Sequence, residues 1–199
     1  IYNLPIETGE YLLLTLQASS SYTEPRKPHL LSITDSLTSV VKYNQNESQV
    51  TALCFLYAHS PKQHGPLHYG DTVILYCPSN HCSVQCDESS LDLIPVPLKS
   101  AQQIVAWILT PLEGISQHGD PGLFHQPLQL TLSSNSHLCL TCYMNLNEKT
   151  KTKTRFPVVV HVGNSGSSRN TQYVWEIIPP LDYIDTTPPP PPSVLTTKV

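Results

Sequence analysis

Two stretches of this chain superimpose without a gap. At an offset of 56 residues, HYGDTVILYCPSNHCSVQC (68–86) lies over FHQPLQLTLSSNSHLCLTC (124–142), which puts His81 on His137, Ile74 on Leu130, Tyr76 on Leu132, Val84 on Leu140 and Cys86 on Cys142. Each stretch reads as strand, short polar turn, strand, with apolar residues at every second position. Such a repeat constrains the fold more than any single motif, because a unit unable to bury its apolar face alone must stack on its copies.

The units also end alike. VAWILTPLEG closes one and YVWEIIPPLD the next, while LCFLYAHSP closes an earlier one with Phe55 in the tryptophan's place. The earlier unit opens with GEYLLLTLQ, where Leu12, Leu14 and Leu16 alternate, and continues through HLLSITD. Three units emerge, near 8–66, 67–122 and 123–182. Three units of about four short strands give an all-β chain and the arithmetic of a β-trefoil, a six-stranded barrel capped by three hairpins. Closing a barrel removes exposed strand edges. This reading expects Leu14, Ile74 and Leu130 at equivalent core positions, and Phe55, Trp107 and Trp175 on the closing strands. A Greek-key sandwich is the alternative that evenly spaced strands also suit.

The barrel domain is expected over 1–182 and a proline-rich tail over 183–199, where Pro188 to Pro192 form a stiff polyproline II run, a spacer or docking ligand that cannot join a barrel. A chain of 199 residues with only 13% charged residues and 19 prolines suits a loop-rich β-protein, since proline is excluded from helix interiors but punctuates turns. A net charge of −4 gives no broad basic face for nucleic acid, and no run reaches the ~18 apolar residues of a membrane helix. The chain begins at Ile1 with no charged-then-apolar leader, which leaves a processed or incomplete N-terminus open.

Cys77, His81, Cys82 and Cys86, with Cys139 and Cys142, supply ligand types that zinc accepts. Strand alternation places Cys139 and Cys142 on opposite faces, however, and the repeat makes Cys86 and Cys142 equivalent positions of different units. Buried thiols are the preferred reading, no metal or cofactor is expected, and the six cysteines are too sparse for a disulfide scaffold. Asn46-Glu47-Ser48 is a sequon compatible with secretion. Gly163-Asn164-Ser165-Gly166 resembles a nucleophile loop but lacks a base and orienting acid at recognisable spacing; it reads as a hairpin tip. His59, His64 and His68 fall in a loop broken by Pro61 and Pro66. No catalytic residue is therefore assigned.

The segment His68-Tyr69-Gly70-Asp71-Thr72-Val73-Ile74-Leu75, with the late QYVWEIIPP, resembles the MIR family of β-trefoils, most closely the MIR-like cilia- and flagella-associated proteins inside axonemal doublet microtubules. Unit one has ETGEYLLL in place of the Tyr-Gly-Asp turn, and unit three has Pro127 where Asp71 sits. Sugar-binding roles of secreted or endoplasmic-reticulum trefoils are therefore not carried over by residue. The resemblance implies a non-enzymatic structural or adaptor protein of the cytoplasm and ciliary or flagellar axoneme, bound to tubulin and neighbouring axonemal proteins. Lys149, Lys151, Lys153 and Arg155 alternate with threonines, so an extended arm would present them on one side to an acidic tubulin surface; the alternative is a solvated hairpin or lysine-blunted edge. A competing reading is a secreted or lumenal trefoil that binds carbohydrate or inhibits a protease.

Overall fold

The computed structural model describes residues 4–16, 29–33, 38–42, 52–87, 89–98, 106–143, 158–164 and 171–180. Among them there is no helix, and the chain is all-β. The strands are β1 Leu13–Leu16, β2 His29–Ile33, β3 Thr38–Lys42, β4 Cys54–Tyr57, β5 Thr72–Cys77, β6 Cys82–Cys86, β7 Leu93–Pro97, β8 Trp107–Pro111, β9 Pro127–Leu132, β10 Leu138–Tyr143, β11 Val158–Asn164, β12 Thr171–Gln172 and β13 Trp175–Ile178. Short strands rich in Val, Ile, Leu and Thr and punctuated by Pro and Gly form where backbone groups can pair only across to a neighbour.

All of them join one curled antiparallel sheet. β1 pairs with β13, β13 with β9, β9 with β8, β8 with β5 and β5 with β4. Leu12 and Leu53 then exchange both backbone hydrogen bonds, at 2.8 and 2.9 Å, bringing the approach to β1 beside the approach to β4. The hairpins β2–β3, β6–β7 and β10–β11 branch from this path.

Inside the curl lies one apolar core that includes Leu14, Leu75, Leu130, Phe55, Trp107 and Trp175. Both tryptophans and Phe55 are fully buried. Aromatics of this size each remove 150–250 Å² from water, on the order of 4–6 kcal/mol of gross transfer free energy.

The residue that shares this core with Leu14 and Leu130 is Leu75, and not Ile74. Ile74 is equally buried, but in a second cluster with Cys54, Leu56 and Tyr76. The cause is a turn length: four residues separate β5 from β6, whereas five separate β9 from β10. A gapless alignment is therefore right for the second strand of each hairpin and slips by one on the first. In a strand, one residue moves a side chain to the opposite face.

Three segments far apart in the chain, around Ile6, Leu67 and Gly122, meet at one end of the sheet. Ile6 N–H donates to Gly122 O (2.9 Å), Gly122 N–H to Leu67 O (2.8 Å) and Leu67 N–H to Ile6 O (2.9 Å), a closed ring of three hydrogen bonds. Around it, Glu7 bridges Pro66, His68 bridges Pro121 and Leu123 bridges Pro5. Three prolines thus occupy matching places, where a residue without an N–H leaves no donor to satisfy in the crowded centre.

Candidate functional site

Four residues after each proline the backbone turns through positive φ, at Gly9 (77°), Gly70 (101°) and His125 (66°). The amides of these residues donate to Phe55 O (2.9 Å), Leu109 O (2.7 Å) and Ile177 O (2.8 Å) respectively. Phe55 therefore corresponds to Leu109 and Ile177, the residues two places beyond the tryptophans. Leu53, also fully buried, takes the place that Trp107 and Trp175 hold in the other units. Leu53 and Phe55 lie two residues apart and are both fully buried, so alternation does not separate them, and it is Leu53 and not the aromatic Phe55 that stands in the tryptophan's place.

The turn thought missing from unit one is present in other residues. In unit two Asp71 Oδ2 accepts from His68 N–H at 2.8 Å; in unit one Glu10 Oε2 accepts from Glu7 N–H at 3.1 Å. Thr8-Gly9-Glu10 thus builds the turn that Tyr69-Gly70-Asp71 builds, with a longer carboxylate reaching the same kind of amide. In unit three Gln126, and not Pro127, follows the positive-φ residue, and its Oε1 accepts from the Tyr69 hydroxyl at 2.9 Å. His125 Nδ1 lies 3.2 Å from Glu176 Oε1.

Beside the first turn is a shallow depression of about 660 Å³ lined by Leu4, Pro5, Glu7, Thr8, Gly9, Glu10 and His64. Its wall is stitched by Thr8 N–H to Gly65 O (2.9 Å) and Gly65 N–H to Thr8 Oγ1 (3.0 Å). Nearby, the Tyr57 hydroxyl donates to Pro66 O. Burial, with the Asp71 and Glu7 carboxylates close by, raises the Tyr57 phenol above its ordinary value, and burial does the same for Tyr69. Both phenols stay neutral donors at physiological pH. The end of the molecule around the Ile6–Leu67–Gly122 ring therefore carries the carboxylates of Glu7, Glu10 and Asp71 and the imidazoles of His64 and His68, with the Tyr57 and Tyr69 hydroxyls bonded internally to Pro66 and Gln126.

The cysteines fall elsewhere. Cys77, Cys86, Cys54 and Cys139 are buried and Cys82 is half-buried; among the described residues no group of three or more Cys, His, Asp or Glu is gathered as a metal site would need. Cys54 is pushed up to about 12 by burial and by its neighbour Cys77, and Cys139 to about 11 by burial. His81 Nδ1 is 3.3 Å from the Tyr76 hydroxyl. The second-strand correspondence is direct: Trp107 Nε1 donates to Val84 O and Trp175 Nε1 to Leu140 O, both at 3.0 Å.

Lys149, Lys151, Lys153 and Arg155, the sequon at Asn46, Ser165 and Gly166, and the prolines 188–192 all lie outside the described residues.

No family model matches this chain, and no curated protein matches it either. Among solved structures it is similar to the Saccharomyces cerevisiae protein O-mannosyltransferase Pmt1-Pmt2 complex bound to the sugar donor, with a TM-score of 0.56 at 12% identity. The likeness covers 89% of this chain and 25% of that one, so the chain spans about a quarter of the length of the protein it resembles. At this identity the likeness is one of fold.

Proposed function

We propose that the chain is a β-trefoil that acts as a non-enzymatic structural or adaptor module, with the axonemal doublet microtubule as its first candidate address. The observation that carries the trefoil reading is the three-membered ring of backbone hydrogen bonds among Ile6, Leu67 and Gly122, with its three matching prolines and three positive-φ turns. It is supported by the pairing path β1–β13–β9–β8–β5–β4, whose two ends are joined by the Leu12–Leu53 bridge, with three hairpins branching from it. An adaptor role is supported by what the converging turns carry, carboxylates and imidazoles able to hydrogen-bond a partner. Several contacts held on one rigid body add affinity through effective concentration.

The axonemal address rests on the resemblance of Tyr69-Gly70-Asp71 and its following strand. It is tested by expressing the tagged full chain in ciliated cells and purifying doublets: enrichment with doublets supports the address, and a diffuse signal without co-purification ends it. A basic arm at Lys149, Lys151, Lys153 and Arg155 predicts that replacing all four by Gln weakens co-purification and its salt sensitivity. The secreted or lumenal carbohydrate-binding reading predicts instead glycosylation at Asn46 and retention on a glycan array.

A further inference from the structure

The β5–β6 hairpin closes on two cysteines. Cys77 is the last residue of β5 and Cys82 the first of β6, and the register sets them directly opposite each other. Directly opposed residues of an antiparallel pair point to the same face with Cα atoms roughly 4.5–5.5 Å apart, inside the ~4.4–6.8 Å window that a disulfide spans. Both sulfurs hang over the same turn: Cys77 Sγ lies 3.3 Å from Ser79 Oγ, and Cys82 Sγ 3.1 Å from Asn80 O. The two differ in access, for Cys77 is fully buried whereas Cys82 is only partly buried.

We infer that Cys82 and Cys77 form a redox pair, in which Cys82 is the thiol that meets a small disulfide and Cys77 the thiol that resolves it. The Cys82 thiolate attacks one sulfur of a low-molecular-weight disulfide such as glutathione disulfide, making a mixed disulfide and releasing one glutathione thiolate, which takes up the proton that Cys82 lost. Cys77, deprotonated in turn, attacks the Cys82 sulfur from across the hairpin and releases the second glutathione. One protein S–S bond has formed, one glutathione S–S bond has broken, and two electrons have passed from protein to glutathione. The reverse exchange with excess reduced glutathione restores both thiols.

Geometry selects this pair over the others. Cys86 shares a strand with Cys82 four residues on, roughly 13 Å away at the usual rise, too far to bridge. Cys54 and Cys139 are buried thiols whose ionisation is suppressed, so neither supplies the thiolate that exchange needs. The bond would lock the tip of a hairpin whose next residue pair, Tyr76 with Ser83, is buried. The inference concerns this hairpin alone and does not rest on the trefoil or axonemal readings.

The experiment treats the folded full chain with excess glutathione disulfide, alkylates what remains, and measures intact mass and peptide linkage for wild type, Cys77→Ser, Cys82→Ser and Cys86→Ser. Circular dichroism confirms that each variant is folded. Wild type and Cys86→Ser should each lose two hydrogens and two alkylatable thiols, Cys77→Ser should stop as a glutathione adduct on Cys82, and Cys82→Ser should gain neither bond nor adduct. An adduct that persists on wild-type Cys82, loss of the bond in Cys86→Ser, or a Cys82 that does not react at all overturns the pair. Should Cys77→Ser fail to fold, Cys77→Ala gives the same reading.

Discussion

Trp107 donates its indole N–H to the carbonyl of Val84, 3.0 Å away and sealed from water. The bond ties β8 to the hairpin strand β6, and Trp175 repeats it toward Leu140 on β10. Replacing Trp107 with Phe keeps a ring in the core but strands a buried carbonyl, at about 1–3 kcal/mol, and gives up part of the buried ring. A chemical-denaturation midpoint measured at unchanged slope reports the loss, and Trp175→Phe should show a loss of the same size. A cost under about 0.5 kcal/mol for either would mean that water reaches these carbonyls.

Gly70 sits at φ 101°, and a Cβ built there would lie 3.1 Å from His118 Nδ1. Gly70→Ala therefore meets both backbone strain and a close neighbour, and should destabilise by about 1–2 kcal/mol. Gly114, at φ 82° with nothing within 4 Å, is the control: Gly114→Ala meets strain alone and should cost less. Thermal melts of both variants, with His118→Ala added to Gly70→Ala, separate the steric part from the backbone part.

Alkaline pH should weaken the fold. Cys54 is held at about 12 against an ordinary 9.0, Cys139 at about 11, and Tyr76 at about 12 against 10.0, in each case chiefly by burial. Between pH 9 and 12 the native chain keeps protons that the unfolded chain has released. Stability from these groups is thus full below pH 9 and lost as pH rises toward 12. A melting temperature that falls through this window is the expected result, with a shallower fall in Cys54→Ala; a flat profile would count against the burial that raises these groups.

β7 shows how a sheet edge is kept from pairing. Its ladder to β6 sets Val96 against Ser83 and Ile94 against Gln85, flanked by Leu98 N–H to His81 O and Asp87 N–H to Asp92 O. Alternation then turns Leu93, Pro95 and Pro97 outward, and the two prolines have no N–H to offer a second chain. Pro95→Val with Pro97→Val supplies the missing donors beside exposed Ile94 and should cause concentration-dependent self-association in analytical ultracentrifugation. A double variant that stays monomeric would show that another element already covers this edge.

Much of the strand content was legible. Period-two alternation marked the sheet-forming segments 72–77, 82–86, 127–132 and 138–143, and the polar turns Pro78-Ser79-Asn80 and Ser134-Asn135-Ser136 marked the hairpin tips. The match of Val84 with Leu140 was legible too, and both carbonyls prove to receive a tryptophan N–H. The slip came in β5, where apolar residues on both faces, Ile74 with Leu75, carry no phase of their own. The turn of unit one was missed because Thr8-Gly9-Glu10 shares only its glycine with Tyr69-Gly70-Asp71, although a positive-φ residue followed by a side-chain acceptor is what the backbone requires.

By itself the sequence determined an all-β chain, since side-chain alternation and turn chemistry are local properties. Which face each strand buries, which carboxylate closes each turn, and that Cys77 stands opposite Cys82 were decided by tertiary structure. Register depends on turn lengths and on partners far along the chain, and a single added residue between Leu132 and Leu138 is enough to reverse a strand's faces.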